Sequence, residues 1–114
     1  MSAHRTGTER DEVLADFDDA VNMSAGELEE WLATDESWSV GQHKEGEEST
    51  GHASGRRIVA LLRTDRDSLS DDDLAHMRKV VGYVRRHLGQ PPGGDARDSR
   101  WRYSLMNWGH DPQR

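Results

Sequence analysis

Apolar positions along the chain recur on helical periods, and the polar residues between them mark where each helix begins and ends. Over about 71–88, Leu74, Met77, Val81, Val84 and Leu88 follow steps of three, four, three and four, the spacing of one face of an amphipathic helix. Ser70 stands just before this run with Asp73 three residues on, the capping-box pattern, and Leu69 can staple onto Leu74. Gly89 follows as a C′ glycine, and Pro91-Pro92 forbid continuation.

The same signature opens a helix over about 25–34. Ser24 pairs with Glu27, Met23 can pack on Leu28, and Leu28, Trp31 and Leu32 face inward. Thr8 with Asp11 predicts a helix over about 9–22 that buries Val13, Leu14, Phe17 and Val21. A further helix is predicted over 55–64, capped by Ser54, with Ile58, Leu61 and Leu62 inward. The stretch 41–53, GQHKEGEESTGHA, reads as a polar loop, the alternative being a helix that runs through it. No segment alternates with period two. The expected fold is therefore all-α: a disordered tail over 1–7, then one small bundle of about four helices over 8–112.

The C-terminal stretch SRWRYSLMNWGHDP, 99–112, holds two of the four tryptophans. Trp101, Leu105 and Trp108 share a four-three spacing, and each aromatic side chain has ~150–250 Å² to bury. A closing segment docked across the bundle is expected. The alternative is an aromatic face for a partner.

Composition narrows the classes. The 114 residues contain no cysteine, which removes disulfides, thiolate metal sites and a cysteine nucleophile. The N-terminal residues have no apolar core of a signal peptide, and the longest aliphatic run, IVALL at 58–62, is far short of a membrane span. A soluble, cytoplasmic protein without a membrane partner is expected. Charge is unevenly divided: residues 1–54 carry 14 acids against 3 bases, and residues 55–114 carry 12 bases against 8 acids. Either the halves attract each other or the basic half has an acidic partner.

Two basic clusters carry the candidate chemistry. In STGHASGRRIVALLR, 49–63, a helix capped by Ser54 places Arg56 and Arg57 in its first turn, against the macrodipole. Free N–H groups beside guanidinium groups suit an anion: phosphate, nucleic-acid backbone or carboxylate. The competing occupant is the chain's own acidic half, with Glu45, Glu47 and Glu48 nearby, and Gly51 and Gly55 are alternatively close-packing positions on a longer helix. On the helix over 71–88, Arg78, Lys79, Arg85 and Arg86 cluster opposite the apolar stripe. That is a phosphate-reading face, or a solvated one whose cations suit the C-terminal end of the dipole. A third candidate, an anion or metabolite site, joins His52, Arg56, Arg57 and His110 if the tail folds back, with Ser54, His52 and His110 as accessory groups. His52 beside Ser49 or Ser54 lacks an oriented third member for catalysis, and no histidine pair has a metal-ligand spacing. No enzyme, cofactor or metal is expected.

The blocks SGRRIVALL, HMRKVVGYVRRHLGQPPGGD and WRYSLMNWGHDP, with ELEEWLAT and ESTGHASG upstream, resemble the domain of unknown function 3140 family over about Glu12 to Pro112. These are small proteins of actinobacteria and some other microbes, a number of which bear the label DNA-binding protein. The resemblance implies association with DNA and supplies no catalytic residues. The expected role is a non-enzymatic, DNA-associated protein that contacts phosphates through Arg56, Arg57, Arg78, Lys79, Arg85 and Arg86. The alternative is a protein–protein adaptor or homodimer that uses the aromatic C-terminal segment and the acidic first half.

Overall fold

In the computed structural model, which describes residues 2–40 and 47–114, the regular elements are all helical. They are α1 (Ser2–Ala20), α2 (Ala25–Leu32), α3 (Asp35–Ser39), α4 (Thr50–Leu62), a 3-10 turn (Arg66–Ser68), α5 (Asp71–Leu88) and α6 (Arg100–Asn107). The expected all-α class holds, with six α-helices among the described residues in place of about four.

The caps explain the best-placed helices. At the head of α5 the Asp73 N–H donates to Ser70 Oγ at 3.1 Å, and the Ser70 N–H donates to the Asp73 carboxylate at 3.0 Å. Ser24 and Glu27 close the same box at α2, with bonds of 3.2 and 2.9 Å. The four staple residues Met23, Leu28, Leu69 and Leu74 are all buried in the one hydrophobic cluster. Gly89 ends α5 as a right-handed C-cap with φ −74°, so the expected left-handed C′ glycine is not needed there. The proline pair alone bars continuation.

Three boundaries differ from the sequence expectations. Helix α1 begins at Ser2 and takes in residues expected as a tail, so Thr8 lies within it. Nothing there forbids this: the segment holds one glycine and no proline. Helix α3 was not expected; Thr34 caps it by accepting from the Ser37 N–H at 3.2 Å, with Asp35 and Glu36 in the first turn. Helix α4 starts at Thr50 because Ser49, not Ser54, is the cap, its Oγ accepting from the His52 N–H at 3.0 Å. Of the expected loop over 41–53, residues 41–46 lie outside the described residues and 50–53 are helical.

Helix α1 packs along α5 and α2 along α4, while α6 touches α2, α3, α4 and α5. Phe17, Leu28, Ile58, Met77, Val80, Val84 and Leu105 are fully buried between these layers, each worth roughly 1.5–3 kcal/mol of transfer free energy. The C-terminal segment thus closes the core, with Trp108 only 4% exposed. Its C-terminal end is fixed twice. Gly109, φ +83°, and His110 form a Schellman turn: the His110 N–H donates to Leu105 C=O at 3.0 Å and the Gly109 N–H to Met106 C=O at 2.9 Å. Asn22 then exchanges two bonds with the Asp111 backbone, at 3.0 and 2.7 Å.

Asn107, buried on α6, fixes the middle. Its Oδ1 accepts from Trp31 Nε1 at 2.7 Å and from Ser37 Oγ at 2.5 Å, and its Nδ2 donates to Ser37 C=O at 3.0 Å. Gly55 lets α4 approach this residue: a Cβ there would lie 2.5 Å from the Asn107 carbonyl oxygen and 2.7 Å from Leu32 Cδ2. Gly55→Ala should therefore lower stability by ~1–3 kcal/mol, the usual penalty of overpacking. Gly26→Ala, with nothing within 4 Å of its Cβ, should be neutral or stabilising by up to ~1 kcal/mol. Urea midpoints compare the two, and equal shifts would refute this account of Gly55.

Candidate anion-binding groove

The six expected phosphate-contacting cations do not form one face. Because α4 starts five residues early, Arg56 and Arg57 lie in its second turn, away from the free N–H groups. Arg56 grips the Glu48 carboxylate with two bonds, of 2.7 and 2.5 Å. Arg57 lies 3.2 Å from Asp72 C=O and 3.4 Å from the Asp73 carboxylate. Arg85 pairs with Asp16 of α1 at 3.2 Å, and Arg78 shares that concavity with Glu9, Glu12 and Asp16. Lys79 and Arg86 stand about 100° around α5 from that stripe and face α6 instead. Among the described residues, no ion pair is formed by Arg78, Lys79 or Arg86.

The accessory histidines and serine are also spread out. His52 bridges α4 to α2: Nδ1 meets the Glu48 carboxylate and Nε2 meets Leu32 C=O at 2.7 Å. Both partners are acceptors, so the ring serves the two at once when each nitrogen carries a proton. His110 is elsewhere, its Nδ1 2.7 Å from Ala20 C=O. The expected cluster of His52, Arg56, Arg57 and His110 is not assembled. Ser54 is buried and hydrogen-bonds His76 Nε2 at 2.9 Å. Burial pushes the His76 pKa down, with Arg57 and Lys79 adding to this and Asp73 opposing it, which favours the neutral ring in this hydrogen bond. No carboxylate is hydrogen-bonded to this histidine among the described residues, and the pair acts as a strut between α4 and α5.

A ladder of rings joins α5 to α6. Trp108 stacks on Tyr83 at 4.3 Å and lies parallel to His76 at 6.3 Å; Tyr83 stacks on His87 at 5.3 Å, and His87 faces Trp101 at 6.3 Å. Positions 76, 83 and 87 share one face of α5 by their spacing of seven and four. Trp101 Nε1 donates to His87 C=O at 2.7 Å and so caps the end of α5. Beside the ladder, the head of α4 (Thr50, Gly51), the Lys79 and Arg86 stripe, and Trp108 with Tyr83 enclose a groove of about 450 Å³. No carboxylate lines it. Among the described residues, no group of three or more histidine, aspartate or glutamate side chains could hold a metal ion.

The family model described as protein of unknown function (DUF3140) matches residues 16–106. The chain belongs to this family. No match was found among curated proteins or among solved structures. The matched span contains the groove residues from Thr50 to Ser104, with Asn107 and Trp108 just beyond it. Sequence reading named Lys79 and Arg86 but missed Thr50, Gly51, Tyr83 and Trp108 as their neighbours. The signal was present in Ser49-Thr50-Gly51-His52, where Ser49 competes with Ser54 as the cap. No helix is long and apolar enough to cross a membrane among the described residues.

The Glu48 carboxylate is lowered from its ordinary 4.5 to about 2, chiefly by the Arg56 hydrogen bonds, with burial opposing and His52 assisting. A group depressed on folding contributes stability that is present above its unfolded pKa and lost as pH falls toward the folded one. The window here is 4.5 down to about 2. Glu48→Gln should be less stable at neutral pH yet show a shallower loss across that window, read by thermal melts over an acid pH series.

Proposed function

We propose that this protein is a non-enzymatic, cytoplasmic, DNA-associated module that contacts backbone phosphates through the Lys79 and Arg86 stripe of α5, with Arg78 at its edge. One observation carries the reading: Lys79 and Arg86 are exposed, lie two turns apart on one side of α5, and pair with no carboxylate among the described residues. Arg56 and Arg85 are withdrawn from the role by Glu48 and Asp16. Contacts stay on the backbone, because α5 is flanked by α1 and α6. A helix held that way cannot lie in a major groove ~12 Å wide and read base edges. The net charge of −7 opposes long-range attraction to DNA, so binding is weak and local. The adaptor reading loses its aromatic face, since Trp108 and Leu105 are buried and the Trp101 N–H is already used.

Fluorescence anisotropy with a labelled duplex should show micromolar or weaker binding, log K falling with log salt at a slope of about −2 to −3 for two or three phosphates. Lys79→Ala and Arg86→Ala should each reduce that slope by about one. Arg56→Ala should leave it unchanged. Absence of binding at low salt removes the proposal.

A further inference from the structure

We propose that the groove at the head of α4 is a site for a phosphate monoester, held by the first turn of α4 and the Trp108 indole N–H, with charge supplied by Lys79 and Arg86. This rests on the phosphate-binding reading of those two cations and adds the ligand class: a terminal phosphate, not a backbone diester.

The donors are unspent and close together. Ser49 Oγ takes the His52 N–H, and Ser49 C=O takes the Ala53 N–H at 3.0 Å. The N–H groups of Thr50 and Gly51 have no partner among the described residues and stand at the positive end of a 13-residue helix. The second observation is independent of the helix. Trp108 is 4% exposed, and its Nε1–H, which has no acceptor among the described residues, is not shut away from solvent but opens onto the groove. The half-buried indole donors of Trp31 and Trp101, by contrast, both have acceptors. The Trp108 nitrogen points at Gly51: a Cβ built there would be 3.1 Å from it. The absence of a side chain at 51 therefore leaves open the space in front of the indole N–H and the two backbone N–H groups.

Charge selects the ligand. Lys79 and Arg86 line the groove and no acid does, so two cations and a helix N-terminus face one small volume. A phosphate monoester brings about −1.5 to −2 charges and three acceptor oxygens, against one charge per phosphate along a nucleic-acid strand. Trp108 already stacks on Tyr83 at 4.3 Å and lies parallel to His76 at 6.3 Å, so its ring is engaged within the fold and is not the stacking platform a base would need. The recognised part is the phosphate, whether on the 5′ end of a nucleic acid or on a small free phosphomonoester.

The test uses the full chain labelled with ¹⁵N and follows the Gly51 amide and the Trp108 indole resonances. Inorganic phosphate should shift both and saturate by about 10 mM, as for a Kd of ~1 mM or tighter. Gly51→Ala, Lys79→Gln and Arg86→Gln should each weaken this at least ~10-fold; the last two positions are exposed, so their variants keep the fold. A 5′-phosphorylated duplex that shifts the two resonances where its 5′-hydroxyl twin does not identifies a nucleic-acid end as the source. Phosphoserine shifting the two resonances where neither duplex does identifies a free monoester, which sustains this inference and separates the site from DNA contact. No response of Gly51 and Trp108 to phosphate, or an unchanged response in Gly51→Ala, overturns the site. A 5′-hydroxyl duplex that still binds through Lys79 and Arg86 would then leave backbone contact standing alone.

Discussion

The seating of α6 by Asn107 is the constraint on which the rest of the fold depends. Hydrophobic burial of Leu105 and Trp108 would favour any register that hides them, since that term is non-directional. A buried amide is not so tolerant, because an unsatisfied donor or acceptor costs ~1–3 kcal/mol. Asn107 is satisfied by Trp31 of α2 and Ser37 of α3 at once, which singles out one position of α6. A slip of one helical turn, about 5.4 Å, would strand those groups and carry Trp108 away from Tyr83 and Gly51. The groove exists because that slip is disfavoured.

Charge is arranged on the same scaffold. The acidic first half and basic second half attract each other along specific pairs: Asp16 with Arg85, Asp18 with Arg66, Glu29 with Arg63, Glu48 with Arg56 and Glu27 with Arg114. Each exposed pair is worth only about 0–1 kcal/mol, so these contacts do little to hold the fold. Their larger effect is subtraction. They engage five of the thirteen guanidinium groups and leave a small cationic stripe on an acidic protein. Such a surface repels polyanions at long range and favours an anion that fits locally.

The strongest periodic segment, 71–88, was legible down to its cap and both ends, because its period, capping box and proline stop all agree. Helix α4 was not, and the reason lies outside it. Gly51 and Gly55 each cost a helix ~1 kcal/mol, yet both are in α4, where Trp108, Asn107 and Leu32 press against them, and the first two lie some fifty residues away. The acid partners of the arginines were legible only as a class. Nearest in sequence was right for Arg56 and Glu48; Arg85 found Asp16 through the packing of α1 on α5. The four cations of α5 formed one cluster on a helical wheel, and the two neighbouring helices divide it: Arg78 and Arg85 face the acids of α1, and Lys79 and Arg86 face α6 with no acid partner among the described residues.

That division gives Gly51 its meaning. Two glycines in α4 weaken the helix, and only Gly55 is demanded by backbone packing, where a Cβ would meet a carbonyl oxygen at 2.5 Å. At Gly51 the nearest atom is the indole nitrogen itself, at 3.1 Å, a contact that a shift of a few tenths of an ångström would relieve. An alanine there would recover helix propensity of ~1 kcal/mol and cover three donors that nothing else in the fold uses. The donors reach solvent and so cost little when hydrated, which lets the groove stand open and preorganised. Folding alone therefore explains Gly55 and the Asn107 network. It does not explain an open indole N–H facing a bare helix turn between two unpaired cations.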